Sequence, residues 1–293
     1  MRLRRLDRSD EEPLGVTAPV TRLLPAPACE LPLEGLYLSH ALHHLSPPGR
    51  PFVYSNFVAS LDGRISETGP HGRKRVPTAI ANPRDWRLYL ELLAQADALL
   101  TSTRHLRAVA AGRQTELLAL PEQQPELADW RQRNGLGPNP LWVVISRELA
   151  LPARRLRERH GEAVLVLTCE GASGERAREL EAAGIEVERV NAGAQVDAQA
   201  AMRALARRQV RSLYAIAGPR LLHTLVGASV LDRLYLTHSL QLLAGTVFDT
   251  LVEGAAFEPP HAVRLRELYL DADQLFACYE PDGAGKGTEH LIG

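Results

Sequence analysis

The chain has 293 residues and a formal net charge of −1 with histidine neutral, enough to bury a sizeable core as one large domain or two smaller ones. The near-balanced charge gives no global pull toward nucleic acid or a membrane surface. Cys29, Cys169 and Cys278 form neither a CxxC pair nor a disulfide framework, no apolar run reaches about 18 residues, and the first residues lack a signal-peptide pattern, so the expectation is a cytoplasmic protein with neither nucleic acid nor membrane as partner.

Residues 1–49 are rich in proline, with seven between Pro13 and Pro48. They are predicted to form an extension that packs on the core through Leu23, Leu24, Leu31, Leu33 and Leu36, with a short helix over Glu34–Leu45. His40 and His44 have the i, i+4 spacing of metal ligands, but no third ligand stands nearby, so packing or solvated histidines are expected and no metal.

From residue 50 to 280 the pattern alternates strand and helix. Pro51–Ser60 reads as a strand. Asn82, Pro83 and Asp85 read as a helix start: Asn82 caps, Pro83 fits the first helical position, and Asp85 suits the positive helix end. Asp97–Thr101 is a strand and Thr103–Ala110 a helix. Residues 112–140 read as an insertion with a helix over Pro125–Arg133. Leu141–Ile145, Ala163–Thr168, Ile185–Val190 and Ser212–Ala217 are strands. Ser173–Ala183, a helix started by Asp197 and ending near Arg208, and Pro219–Val226 are helices. Such alternation implies a mostly parallel sheet covered on both faces. Arg233–Ser239, Val263–Asp271 and Gln274–Glu280 are strands, the last two two residues apart, which is hairpin spacing. Residues 281–293 read as a mobile tail.

Four strand ends carry the candidate chemistry. In Asn56–Ile65 a strand runs into Ser60-Leu61-Asp62-Gly63, where Gly63 can take positive φ and Asp62 can hold the turn or face a ligand; a plain strand-to-loop turn is the competing reading. In Ala215–Leu222, Gly218, Pro219, Arg220 and Leu221 open a helix whose free N–H groups and guanidinium suit a phosphate, although most such turns hold no ligand. Thr101, Ser102 and Thr103 place hydroxyls between strand and helix, where an N-cap role competes with ligand binding. Ser146 and Arg147 close a further strand. Neither G-x-G-x-x-G, Walker A nor G-x-S-x-G occurs.

Taken in order, Ala59-Ser60-Leu61-Asp62-Gly63-Arg64, Leu93-Ala94-Gln95-Ala96-Asp97-Ala98, Ala217-Gly218-Pro219 and Leu231–Leu236 with Leu243-Ala244-Gly245 resemble the reductase domain of the bifunctional riboflavin-biosynthesis deaminase–reductases, over about residues 50–280. The resemblance implies a dihydrofolate-reductase-like α/β fold: a mixed, mostly parallel central sheet flanked by helices, with a C-terminal antiparallel hairpin. It further implies a homodimer and an NADPH-dependent oxidoreductase that reduces the ring-opened ribose of a ribosylaminopyrimidine phosphate. Cofactor contacts are expected at Ala59, Thr101, Ser102, Ser146, Gly218, Pro219, Arg220 and Leu221, and substrate contacts at Asn56 and at Arg75 in a basic loop (His71, Arg73, Lys74, Arg75). Asp62 is the candidate proton donor or orienter, with an ordered water as the alternative.

The chain departs from the family pattern on the substrate side. Asn56 stands where lysine is usual and Ile216 where glutamate is usual, and an acidic pair is replaced within His105–Gly112. These departures keep open a reductase of the same fold with another substrate, or a nucleotide-binding homologue without turnover.

Overall fold

The computed structural model describes residues 17–69, 74–111, 124–160, 163–216 and 218–282. Part of the proline-rich start, His71 and Arg73 of the basic loop, the first part of the 112–140 insertion, Ala217, and the tail from 283 lie outside the described residues.

The proline-rich segment forms β1 (Val20–Leu24) and β2 (Cys29–Leu31), an antiparallel pair. The helix expected over Glu34–Leu45 is absent. Two short 3₁₀ turns, Leu38–His40 and Leu42–His44, replace it, broken by Ala41 in the left-handed region at φ 47°. Tertiary contacts override the helical spacing: the buried Glu91 carboxylate accepts from the backbone N–H of Gly35 at 2.6 Å and Tyr37 at 2.9 Å, so those amides are satisfied outside a helix.

The alternating stretch begins with β3 (Phe52–Ser60), followed by β4 (Ser66–Thr68), β5 (Lys74–Arg75), α1 (Pro83–Ala94), β6 (Ala98–Ser102), α2 (Thr103–Ala110), α3 (Pro125–Arg133) and β7 (Leu141–Ile145). It continues through α4 (Ala153–His160), β8 (Val164–Cys169), α5 (Gly174–Ala182), β9 (Glu186–Asn191), α6 (Ala198–Arg207), β10 (Ser212–Ala215), α7 (Pro219–Gly227) and β11 (Arg233–Ser239). β12 (Phe248–Asp249), β13 (Val263–Asp271) and β14 (Gln274–Pro281) complete the chain. The sequence signals set several boundaries. Asn82 Oδ1 accepts from the Arg84 N–H at 2.7 Å, Pro83 opens α1, and Ser173 and Asp197 cap α5 and α6.

The main sheet has 11 strands in the order β2-β1-β13-β14-β11-β3-β10-β6-β7-β8-β9. From β11 to β9 neighbours are parallel, and the β13–β14 hairpin and β1 add the antiparallel edge. Residues alternate between faces along each strand. Tyr54, Leu99, Val144, Val166 and Tyr214 pack with Leu88 and Leu92 of α1, Leu106 of α2, Leu156 of α4 and Leu180 of α5. Val53, Leu100, Val143, Leu165 and Leu213 pack with Met202 and Leu205 of α6 and Leu222 and Leu225 of α7. Helices therefore cover both faces, as the alternation implied. A separate three-stranded sheet, β12-β4-β5, forms from the connections that leave β3 and β11.

Candidate active site

The strand order creates a crevice. β10 sits between β3 and β6. After β6 the chain moves onward to β7 with α2 on one face, while after β10 it moves back to β11 with α7 on the other. The two connections diverge, and ligands of open α/β sheets bind at such a switch point, beyond the carboxyl ends of the strands. A cavity of about 610 Å³ lies there, lined by Ser102, Arg104, His105 and Ala108 from the β6–α2 junction and by Gly218 to Leu221 from the start of α7. Lys74, Asp249 and Glu253 come from the small sheet and the loop after it.

The junction residues are shaped by local chemistry. Ser102 Oγ accepts from the His105 N–H at 3.2 Å, so it caps α2 while lining the cavity. Gly218 is the N-cap of α7 with extended backbone, and a Cβ built on it meets no atom within 4 Å. Its value is thus the open space before a positive helix end rather than an unusual φ. The hydroxyls of Thr101 and Thr103, on either side of Ser102 in the chain, are buried with no hydrogen-bond partner among the described residues. The exposed guanidinium groups of Arg104 and Arg220 supply positive charge, and Lys74 pairs with Asp249. A clear turn, the Ser102 hydroxyl and the cations at this cavity suit the phosphates and ribose of a dinucleotide.

Of the residues singled out in the sequence, Ser102, Gly218, Pro219, Arg220 and Leu221 share this cavity. The others stand elsewhere. Ala59 is buried on β3 with Ile65 and Leu236. Thr101 is buried one residue before Ser102. Ser146 Oγ accepts from the Leu149 N–H at 3.0 Å and closes the turn after β7. Asn56 Oδ1 accepts from the Tyr214 hydroxyl. Arg75 forms a solvent-facing pair with Glu67 at 2.7 Å. His40 bridges Glu267 at 2.9 Å and the Tyr235 hydroxyl at 2.7 Å, while His43 packs at a tilt against His44 and edge-on against Trp130.

Asp62 sits in the turn after β3, at the same carboxyl edge. Its carboxylate accepts from Ser60 Oγ at 2.5 Å, Arg64 Nε at 2.8 Å, and the backbone N–H groups of Leu243 and Ala244 at 3.2 and 2.9 Å. These bonds, Ser60 first, hold the Asp62 carboxyl well below the usual carboxylate range. It ties the β3–β4 turn to the loop after β11.

A second carboxylate behaves in the opposite way. Asp85, in the first turn of α1, accepts from Thr237 Oγ1 at 2.5 Å. Burial pushes its carboxyl up to about 6, against the pull of the Thr237 bond. The sequence reading treated Asp85 only as a helix-end charge. Asp249 and Glu253 were missed because residues 240–262 show no periodic pattern.

The matched family adds the decisive comparison. Residues 51–274 match the model of the RibD C-terminal domain. The chain belongs to that family. A 2,5-diamino-6-ribosylamino-4(3H)-pyrimidinone 5′-phosphate reductase of Archaeoglobus fulgidus is 29% identical over 210 residues, 71% of this chain and 89% of that one. A pyrimidine reductase-like protein of Corynebacterium diphtheriae superposes with a TM-score of 0.60 at 19% identity, over 79% of this chain and 92% of the other. RibD of Acinetobacter baumannii superposes with a TM-score of 0.57 at 15% identity, over 80% of this chain and 58% of the other. The fold is therefore the α/β fold of the pyrimidine reductases, with a mostly parallel central sheet and an antiparallel edge. The RibD C-terminal domain family is one of oxidoreductases in riboflavin biosynthesis, and this member is an oxidoreductase. No helix among the described residues is long and apolar enough to cross a membrane.

Proposed function

We propose that the protein binds NADPH in the crevice between α2 and α7 and reduces the open-chain ribose of a ribosylaminopyrimidine phosphate to a ribityl chain. The observation that carries the reading is the cavity at the switch point, where the Gly218 turn and Ser102 meet the cations Arg104 and Arg220. When bound, NADPH supplies the hydride. The residues of this chain bind and orient: the start of α7 and Arg220 hold phosphate, Ser102 and the Thr101 and Thr103 hydroxyls meet polar groups of the ribose, and Arg104 favours a 2′-phosphate. Ala59 borders the reactive end from β3, and Ser146 supports the far wall. Asp62 fixes the loop after β11, and the β12-β4-β5 sheet with Arg75 shields the substrate side from water.

A homodimer in the cytoplasm belongs to the same proposal. Leu23, Val263 and Leu270 leave apolar surface on the antiparallel strands, which supports a subunit contact.

One observation favours a second reading, a reductase of this fold with a different substrate. The Asn56 side chain is already engaged by Tyr214, and Ile216 offers no polar atom on its side chain. Loss of absorbance at 340 nm with NADPH and the ribosylaminopyrimidine phosphate separates the two. Turnover supports the first reading; tight NADPH binding without turnover supports the second.

A further inference from the structure

We infer that Asp85 donates the proton that completes the reduction, with Thr237 as its positioning residue. The inference rests on the function proposed above and adds the acid that this function requires.

Placement is the first argument. Asp85 opens α1, which follows the loops leaving the carboxyl end of β3. Thr237 lies two residues before the end of β11 and pairs with Val58, next to Ala59 on β3. The Asp85–Thr237 pair therefore stands at the same sheet edge as the crevice, two strands along from β10. A dinucleotide anchored at Gly218 and extended along that edge brings its reactive end toward the pair. Asp85 is half-buried at this edge, in the first turn of α1.

The surroundings are the second argument. Thr237 comes from β11, Tyr214 from β10 and Tyr37 from the turns before β3; the two tyrosines sense the charge of Asp85. Tyr214 in turn donates to Asn56. Arg84, the neighbouring cation on α1, is turned to Asp271 at 2.8 Å. Among the described residues Asp85 thus has no cationic partner that would fix it as a carboxylate, and burial raises its carboxyl to about 6.

The third argument concerns the two other aspartates described at this edge. Asp62 accepts four hydrogen bonds and is held ionised. Burial raises the Asp249 carboxyl, but Lys74 and Ser66 outweigh it and hold it below its ordinary range. The stretch His105–Gly112, where the family resemblance places an acidic pair, carries no carboxylate.

The step balances. Hydride adds to C1′ of the open-chain sugar, and the electron pair of the C1′=N bond moves to nitrogen. The Asp85 O–H bond breaks as the N–H bond forms, leaving the ribityl amine, the oxidised dinucleotide and a carboxylate that water reprotonates.

The test compares wild type, Asp85→Asn and Thr237→Val by three measurements: NADPH binding by fluorescence, single-turnover reduction at 340 nm between pH 5 and 9, and the infrared band of a protonated carboxyl. The wild-type rate is expected to fall about tenfold per pH unit above pH ~6. Asp85→Asn should bind NADPH with unchanged affinity, react about 10²- to 10⁴-fold more slowly and lose both the inflection and the part of the infrared band, seen in the difference spectrum against wild type, that titrates near pH 6. Thr237→Val removes a bond that favours the ionised form, so its inflection should move to higher pH, a shift that a purely structural role would not produce. An Asp85→Asn enzyme with the wild-type rate and profile, or a wild-type protein without that part of the band at pH 5, overturns the assignment of the acid alone. Wild type that binds NADPH and never reduces the substrate overturns the proposed function and this step together.

Discussion

The Thr237 hydroxyl lies 2.5 Å from Asp85 Oδ1, joining a strand and a helix end 152 residues apart in the chain. The pair has a stability consequence of its own. The folded-state carboxyl titrates at about 6, above its ordinary 3.8, so between these values the folded protein binds more protons than the unfolded one. Stability from this group is then present at pH 4 and lost as pH rises through 6. Asp85→Asn should stabilise the protein at pH 7.5, by up to about 3 kcal/mol on a two-unit shift, and change it much less at pH 4. Urea unfolding at both pH values checks this; equal effects at both contradict the raised carboxyl.

A buried ion pair secures the other end of α1's first turn. Arg84 Nε contacts Asp271 Oδ2 at 2.8 Å, both side chains being almost fully enclosed, and an Arg84 terminal nitrogen reaches the Ala18 carbonyl at 3.0 Å. Asp271→Ala would strand the guanidinium charge in the interior. The expected loss is about 3–5 kcal/mol in urea unfolding, with faster amide exchange in β1.

Asp62 makes a local prediction. Its carboxylate accepts from the Leu243 and Ala244 amides. Asp62→Asn should raise hydrogen exchange at these two amides while leaving the core strands protected. Protection unchanged at both would show that the loop is held by other contacts.

Arg104 and Arg220 flank the cavity from α2 and α7. The double variant Arg104→Ala/Arg220→Ala should lose about ten- to a hundredfold in NADPH affinity, the size of one charge-assisted contact, with a smaller loss for NADH. Equal losses for both dinucleotides would remove the 2′-phosphate from these side chains.

Much of this architecture was legible in the sequence, and the exceptions have physical causes. The bounds of α2 and α3 and the turn at Gly218 follow from hydroxyl caps, Pro125 and Pro219. α4 escaped notice because Ala153–His160 is crowded with arginine, and among its described side chains only Leu156 is firmly buried. The strands β4, β5 and β12 are two or three residues long, too short for any period to register. β1 and β2 are obscured by prolines on either side. At the site, Ser102 and the α7 turn could be named because their chemistry is local. Asp85 could not be, because its character comes from burial beside Thr237, which only the fold brings near.

The central claim is that the crevice between α2 and α7 holds a nicotinamide dinucleotide. A titration of wild type and Gly218→Val with NADPH, followed by nicotinamide fluorescence and thermal shift, tests it most directly. A Cβ at Gly218 meets no protein atom, so the variant should fold normally. Wild type at a ligand excess of a hundred times Kd should gain about 2.7 kcal/mol, and the variant should bind far more weakly. Normal NADPH binding by a folded Gly218→Val protein, or no binding by wild type, would contradict the account.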